Sequence, residues 1–351
     1  MKVNRDSEPS FAGLATFQKV PLALSDTDLD GADVAIIGAP MDEYVTHRPG
    51  TRFGPRAIRS AIDGGGPPKA WHMDLGVDPF AELAIVDHGD AEVVPGDAAA
   101  SHVAIRAAVD RVVAAGVIPV VLGGDHSIAY PDIAAVAGRL PSGSLAVVQF
   151  DTHTDTATEN WGVARAHGTP FRHLVDEGIL PGNRLVQVGL RGYWPNPEEW
   201  AWARSAGVRW HRMEEVFERG IDAVVDDVLA AVEPAAHLFL SVDIDVLDPA
   251  FAPGTGTPEP GGMSTRELLR AVRRLTVARG LAGMEVVEVS PPYDHADVTA
   301  MAAHRVVLEA LSGLAVHRGG GAPAPERSDD PGGAPAPEQS DDPGAIAPER
   351  S

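Results

Sequence analysis

Short runs of apolar, largely β-branched residues alternate along this chain with longer segments of helical periodicity. The apolar runs lie at 33–39, 83–89, 118–124, 144–150, 184–190, 237–243 and 284–290. The helical patterns lie at 54–62, 97–115, 127–138, 197–206, 221–232, 264–278 and 295–315. Strands that are apolar on both faces and alternate with helices are typical of a parallel sheet covered on both sides. The pattern predicts an α/β fold, a three-layer α/β/α sandwich with a central, mostly parallel sheet.

The boundaries of this fold follow from composition. We find no interior linker, so residues 31–318 are predicted to form one domain, preceded by an N-terminal extension over residues 1–30. Residues 319–351 contain a twelve-residue repeat, APAPERSDDPGG followed by APAPEQSDDPGA. A segment so rich in proline, glycine and acidic residues has almost nothing to bury, and we predict that this tail is disordered.

Composition also narrows the classes of function. The chain has no cysteine, which excludes disulfides and thiolate chemistry, so any metal must be held by His, Asp or Glu. A formal net charge of −22 disfavours binding to nucleic acid or to an anionic membrane. The polar N-terminus lacks the apolar region of a signal peptide, and no run of about 18 apolar residues predicts a membrane span. We therefore expect a cytoplasmic protein with neither nucleic-acid nor membrane partners.

Acidic and histidine side chains follow three of the predicted strands. They are His126, Asp151, His153, Asp155, Asp243 and Asp245. The carboxyl ends of parallel strands meet at one edge of the sheet, where ligands bind, and alternate residues of an extended segment point the same way. Carboxylates crowded into an apolar site cannot all be ionised without cations. A lone histidine or a lone Asp-x-Asp after a strand is usually a turn residue, but three strand ends together predict a two-metal site, and its oxygen-rich donors favour manganese.

Four motifs, in order, resemble the ureohydrolase family of arginase and agmatinase. They are GGDHS (123–127), DTHTDT (151–156), SVDIDVLDPAFAPGTGTPEPGG (241–262) and EVSPPYD (288–294), and HRPGTRFGPRAIR (47–59) resembles the amino-terminal loop of the agmatinase-like branch. The similarity covers roughly residues 30 to 315. It implies an arginase-like fold, hydrolysis of a guanidino compound to urea and an amine, two Mn²⁺ ions and a homotrimer or homohexamer. Ni²⁺ or another divalent ion is an alternative.

The resemblance also implies roles for individual residues. One metal ion would be held by His126, Asp151, Asp155 and Asp243, and the other by His153, Asp151, Asp243 and Asp245. Asp151 and Asp243 would bridge the two ions, which share a water and lower its pKa. Asp155 would take the proton of that water, Glu288 would pair with the guanidinium, and His167 would supply the proton that the leaving amine needs. Thr152 stands where this family usually has alanine.

The substrate is less well defined by the motifs. Ala157 and Trp161 replace polar residues with which arginase holds an amino-acid group, so agmatine, hydrolysed to putrescine, is our first expectation. Guanidinobutyrate, guanidinopropionate, proclavaminate-type substrates and free guanidine remain open, because hydrolases of all of them share these motifs. The candidates for shaping the substrate site are Asn160, Trp161, Arg48 and either Tyr193 or Trp194. A cationic substrate tail would require Glu159 or Glu43, and an anionic tail would require Arg48 or Arg165.

Two rival interpretations belong to other classes. An inactive regulatory subunit of the family usually lacks some of the metal ligands, whereas all six are present here. A deacetylase on a related fold would hold a single metal, whereas the paired segments DTHTD and DID predict two.

Overall fold

A ten-stranded sheet runs through the described part of the chain, which comprises residues 2–3, 11–61 and 70–319 of a computed structural model. The strands are β1 (Lys2–Val3), β2 (Leu22–Ala23), β3 (Val34–Ala39), β4 (Ile85–Asp90), β5 (Ile118–Gly123), β6 (Leu145–Phe150), β7 (Leu185–Leu190), β8 (Arg209–Arg212), β9 (His237–Asp243) and β10 (Gly283–Val287). Their order is β1-β2-β4-β3-β5-β10-β9-β6-β7-β8. Every neighbouring pair is parallel except β1 and β2, which confirms the predicted mostly parallel sheet.

Helices cover both faces of this sheet. They are α1 (Gly54–Ser60), α2 (Pro79–Glu82), α3 (Ala98–Ala114), α4 (Ala129–Ala137), α5 (Pro170–Asp176), α6 (Pro197–Ala206), α7 (Met213–Arg219), α8 (Ile221–Val232), α9 (Thr265–Arg279) and α10 (Val298–His317). On one face, helices α8, α9 and α10 pack on a core that includes Val148 and Val286. On the other face, α3, α4 and α5 pack on a core that includes Val147 and Val287. The three-layer sandwich is therefore confirmed.

The predicted elements lie close to the observed ones, with a few informative differences. The last predicted strand, 284–290, ends instead at Val287, because Glu288 leaves the extended conformation with a φ of 61°. Strands β1, β2 and β8 and helices α2, α5 and α7 were not predicted. Strand β8 has the sequence RWHR and lies half exposed at the edge of the sheet, so the apolar signature of an interior strand is missing there.

Helix α10 is the one helix among the described residues that is long and apolar enough to cross a membrane. However, 83% of its apolar window is buried within the fold, as expected of a core helix. It packs along α9 at the face opposite α3 and α4. The predicted tail lies outside the described residues, apart from Gly319.

The order of the strands determines where the polar strand ends meet. Strands β5, β10, β9 and β6 are neighbours at the centre of the sheet and all run in the same direction. His126 follows β5, Glu288 follows β10, Asp243 ends β9 and Asp151 follows β6. The strand order therefore places these four candidate functional residues at one edge of the sheet, the edge at which α/β sheets bind their ligands.

Candidate metal centre and active-site cavity

The imidazole of His126 is surrounded by three carboxylates at the centre of this edge. Its Nδ1 atom lies 3.1 Å from Oδ2 of Asp151, 2.9 Å from Oδ2 of Asp155 and 3.2 Å from Oδ2 of Asp243. The four residues offer ligand atoms that all lie within 4.8 Å of one another. His126 and Asp151 are 0% exposed, Asp243 is 2% exposed and Asp155 is 9% exposed, so this group is a compact set of one nitrogen and three oxygen donors.

A second group of donors shares Asp151 with the first. Nδ1 of His153 lies 3.2 Å from Oδ2 of Asp245 and 3.6 Å from Oδ1 of Asp151. Asp151 thus directs one oxygen to each group, as the expected bridging ligand would. Asp243 belongs to the first group alone by distance. All six residues predicted as ligands are therefore brought together, in two sets that could each hold a cation.

Local hydrogen bonds fix the orientation of these carboxylates. The backbone N–H of His153 donates to Oδ1 of Asp151 over 2.6 Å, and the amide of Gln149 donates to Oδ2 over 2.6 Å. In the same way, the N–H of Asp245 donates to Oδ1 of Asp243 over 2.8 Å. Asp155 has a positive φ of 50°, a conformation that costs of order 1–3 kcal/mol and is common at functional sites. The backbone thus holds the donors close together despite their mutual repulsion.

The electrostatics of the cluster fit a divalent cation. Burial, together with Asp155 and Asp245, raises the pKa of Asp151 to about 7. Burial and the neighbouring carboxylates also raise the pKa of Asp243 well above its usual value. Burial opposes the charged form of His153, but Asp245 outweighs it and raises the His153 pKa to about 10. The group therefore holds protons that a cation would displace, which is the behaviour expected of a metal site.

His167 and Glu288 form a pair beside this cluster. Oε1 of Glu288 accepts the backbone N–H of His126 over 2.9 Å and lies 3.0 Å from Nδ1 of His167. Its other oxygen, Oε2, is buried without a hydrogen-bond partner among the described residues. Burial opposes the charged form of His167, but Glu288, Asp155 and Asp125 raise its pKa to about 9. Glu288 is 1% exposed and is not a lining residue of the cavity described next, whereas its partner His167 is.

A cavity of about 420 Å³ opens over the cluster. Its lining comprises Thr46, His153, Thr154, Asp155, Ala157, Glu159, Asn160, Trp161, His167, Gly168, Trp194, Asn196, Glu199, Asp243 and Thr257. Glu159 and Glu199 are acidic side chains of this lining outside the metal cluster. No lysine or arginine of the described chain lines it. Burial, with a contribution from Asp155, raises the pKa of Glu199.

The residues expected to shape the substrate site divide into two sets. Asn160, Trp161, Trp194 and Glu159 line the cavity, and Asn160 also accepts the N–H of Gly168 over 3.0 Å. The remaining candidates do not line it. Those are Tyr193, Glu43, Arg48 and Arg165.

Both arginines have partners away from the lining. The guanidinium carbon of Arg48 lies 5.2 Å from the ring centroid of Tyr293. Arg165 lies over the ring of Tyr130 and donates to Glu177 over 2.6 Å. The two side chains suggested for an anionic tail are therefore directed to other partners.

Several residues of the site are not predicted by the motif spacing. Thr46, Asn196, Glu199 and Thr257 come from loops and from the start of α6. Gln149 supports Asp151 from within β6, and a polar residue in the apolar run LAVVQF is a signal that could have pointed to it. Asn196 and Glu199 carry no comparable signal, because they lie far from the motifs in sequence, whereas Thr257 lies within the motif at 241–262 and Thr46 directly precedes the motif at 47–59.

Comparison with known proteins agrees with this geometry. The model of the Arginase family matches residues 32–313. Guanidinopropionase of Pseudomonas aeruginosa is 40% identical over 310 residues, which cover 88% of this chain and 93% of that protein. The mitochondrial agmatinase of Gallus gallus is 36% identical over 304 residues, covering 86% of each protein. The solved structure of proclavaminate amidino hydrolase from Streptomyces clavuligerus superposes with a TM-score of 0.81 at 38% identity, covering 88% of this chain and 100% of that one. The chain therefore belongs to the arginase family, as an agmatinase-like hydrolase of guanidino compounds.

Proposed function

We propose that this enzyme hydrolyses agmatine to putrescine and urea with two Mn²⁺ ions. The observation that carries the choice of substrate is the charge of the cavity. Its lining holds Glu159 and Glu199 outside the cluster, and no lysine or arginine of the described residues. A carboxylate-lined cavity favours a substrate whose tail is an ammonium group, because the opposite charges attract across a partly desolvated space.

The metal ligands in this proposal are the two donor groups described above. One ion would be held by His126, Asp151, Asp155 and Asp243, and the other by His153, Asp151 and Asp245, with Asp243 completing the second group. When bound, a pair of divalent cations supplies a water whose pKa is lowered toward neutrality. The six donors comprise four carboxylates and two imidazoles, an oxygen-rich set that suits Mn²⁺, and Ni²⁺ is the alternative.

The residues of this chain would then orient the substrate and move its protons. Oε2 of Glu288 is buried and unpaired next to His167, which lines the cavity, so a guanidinium group that enters beside His167 would donate an N–H to it, and this contact would hold the reacting carbon in place. Gly256 keeps the space beside Oε2 of Glu288 open, because a side chain at position 256 would bring its Cβ to within 3.3 Å of that oxygen. Asp155 would accept a proton from the attacking water. His167, whose pKa is raised, would donate a proton to the amine as the carbon–nitrogen bond breaks.

A guanidino acid is the second candidate substrate. The relatives named guanidinopropionase and proclavaminate amidinohydrolase are 40% and 38% identical to this chain, slightly more than the 36% of the agmatinase. A carboxylate tail would require Arg48 or Arg165 to leave its aromatic partner and turn toward the cavity. That rearrangement is the physical reason for placing the guanidino acids second.

Urea release from matched substrates tests the proposal. Agmatine and 4-guanidinobutyrate have tails of similar length and opposite charge, and arginine, guanidinopropionate and guanidine complete the series. With Mn²⁺ and Ni²⁺ tested in parallel, we expect the highest kcat/KM for agmatine with Mn²⁺. A higher kcat/KM for 4-guanidinobutyrate would contradict the assignment and favour the guanidino acids.

We also propose that the enzyme works as a homotrimer or homohexamer in the cytoplasm. The resemblance to the ureohydrolases supports the assembly. Light scattering on the purified full-length chain tests the assembly, and a monomer at micromolar concentration would contradict it. Fractionation of the source cells tests the location.

A further inference from the structure

One arginine joins the segments that carry the second donor group, and it has no role in the chemistry above. Arg191 directly follows β7, at the same edge of the sheet as the metal ligands. Its backbone N–H donates over 3.1 Å to the carbonyl of Thr152, the residue between the ligands Asp151 and His153. From there its side chain extends to the loop that follows β9, which begins with the 3₁₀ turn of the ligand Asp245.

All three nitrogens of the Arg191 guanidinium donate to backbone carbonyls of this loop. Nη2 donates to the carbonyl of Asp245 over 2.8 Å, and Nη1 donates to that of Val246 over 3.1 Å. The carbonyl of Glu259 accepts from Nη2 over 2.6 Å and from Nε over 3.1 Å. Longer contacts of 3.2–3.4 Å reach the carbonyls of Leu247, Pro260 and Gly189. The guanidinium therefore ties two stretches of the loop, 245–247 and 259–260, to each other and to the end of β7.

The planar shape of arginine suits this task. Its five N–H groups lie in a fixed fork, whereas a lysine ammonium is a single point on a flexible stem. Every hydrogen bond of this guanidinium within the described chain goes to a backbone carbonyl. The loop also leaves space for it, because a Cβ at Gly262 would lie 2.6 Å from Nη2.

The loop that Arg191 holds also determines where the Asp245 carboxylate lies. Oδ1 of Asp245 accepts the N–H of Thr152 over 3.3 Å, and Oδ2 accepts the hydroxyl of Thr257 over 3.2 Å. The same Oδ2 lies 3.2 Å from Nδ1 of His153, its partner in the second donor group. Thr257 precedes Glu259 by two residues and lines the cavity. A loop released from Arg191 would therefore shift Asp245 relative to His153.

Charge alone would disfavour an arginine at this place. The guanidinium is always charged, and a positive charge beside Asp245 repels a divalent cation that binds to its carboxylate. Its hydrogen bonds act in the opposite direction, because they keep the ligand atoms in place for the cation. The two effects of Arg191 on metal affinity have opposite signs, so a measurement can tell which of them is larger.

We propose that Arg191 is a positioning residue for the second metal ion. Its guanidinium fixes the loop after β9, so that Asp245 faces His153 and Asp151. The inference deepens the proposed function and rests on it in one respect, that the His153 group binds a divalent cation. Arg191 offers no ligand atom and does not line the cavity, so its effect passes entirely through the loop.

Three variants of the full-length protein separate positioning from charge and from general stability. Arg191→Met keeps a long side chain and removes both the charge and the donors. Arg191→Lys keeps the charge and loses the fork. Arg279→Met is the matched control, because Arg279 also donates to a backbone carbonyl, that of Ala235, but at the opposite edge of the sheet, before the start of β9.

The measurement is the Mn²⁺ affinity of metal-free protein, titrated by electron paramagnetic resonance of free Mn²⁺, with the melting temperature of the metal-free protein recorded alongside. For Arg191→Met we expect the affinity of one of the two ions to fall about tenfold, the lower end of the usual effect of an outer partner. Arg191→Lys should lose at least as much, because the repulsion stays and the fork is gone. Arg279→Met should lower the melting temperature and leave both affinities unchanged.

A raised or unchanged Mn²⁺ affinity in Arg191→Met would overturn the proposal, since the charge would then outweigh the hydrogen bonds. An equal loss of affinity in Arg279→Met would overturn it too, because lower stability would then explain the result. If the methionine variant does not fold, unchanged Mn²⁺ binding in Arg191→Lys would refute the positioning role and a loss would support it. Wild-type protein that binds no Mn²⁺ would refute the proposed function itself, which distinguishes that failure from the failure of this inference.

Discussion

Replacing Glu288 with glutamine tests the part of the mechanism that depends most on geometry. Oε1 of Glu288 is already used, by the N–H of His126 at 2.9 Å and by Nδ1 of His167 at 3.0 Å. Only Oε2 is free to receive the substrate. The carbonyl oxygen of glutamine can keep the contact to His126, so the fold and the metal ligands should be preserved, whereas its NH₂ group would stand where Oε2 accepts the guanidinium.

The size of the effect follows from the one charge-assisted hydrogen bond that is lost. Such a bond contributes about 1.5–3 kcal/mol, which corresponds to a roughly 10- to 150-fold lower kcat/KM. The actual loss should be larger than this, because the NH₂ group of the glutamine and the N–H groups of the guanidinium are all donors and repel each other. Near-complete loss of turnover with unchanged metal content is therefore the expected result.

Urea release at saturating Mn²⁺, together with elemental analysis and the melting temperature, measures these quantities. Glu233→Gln is the matched control, since Glu233 is an exposed acid at the end of α8. Glu288→Gln with a kcat/KM within about twofold of wild type, well below the loss of one charged hydrogen bond, would remove Glu288 from the mechanism. Loss of bound Mn²⁺ would show instead that Glu288 supports the metal site.

Four further predictions address other parts of the account. Asp151→Asn should lower the Mn²⁺ content far below two per chain, because Asp151 serves both donor groups; retention of both ions would contradict its bridging role. Glu199→Gln should raise the KM for agmatine about two- to fivefold, as expected for a partly exposed charge pair, and leave free guanidine unaffected; an unchanged agmatine KM would place the ammonium elsewhere. Burial opposes the ionised form of Glu309, but His72 and Arg273 lower its pKa below the usual 4.5, so its stabilisation is complete above that pH and is lost as the pH falls. The melting-temperature difference between wild type and Glu309→Gln should therefore shrink from pH 7 to pH 3, and a constant difference would refute this. Truncation after Arg318 should leave the melting temperature and kcat unchanged, and a large loss of either would show that the tail docks on the domain.

Much of the fold could be predicted because interior strands of a parallel sheet are apolar on both faces. The runs leading to β3, β5, β6 and β9 carry this signature, and their observed ends lie within a residue or so of the predicted ones. Edge strand β8 and the short helices α5 and α7 lack it, since they are partly exposed or too short for a periodic pattern. The end of β10 was also not predictable, because the positive φ of Glu288 has no signature in its residue type.

The candidate metal cluster was predictable for a different reason. Asp151 directly follows β6, Asp243 ends β9 and His126 lies three residues after β5, so their proximity follows from the order of the strands in the sheet. Glu199 reaches the cavity from α6, and its place depends on how that helix packs, which no local pattern specifies. The burial of Asp132 could not be predicted from the sequence, because an acidic side chain on a helix usually faces solvent. Its complete burial results from the central position of α4 between the sheet and its neighbouring helices.

The central claim is that the crowded carboxylates are tolerated because two divalent cations bind among them. Anomalous diffraction at the manganese edge, from crystals grown with Mn²⁺, tests it most directly. We predict two peaks, one among His126, Asp151, Asp155 and Asp243 and the other between His153 and Asp245, with Asp151 contacting both. No peak at these positions, with the carboxylates turned away from one another, would contradict the account.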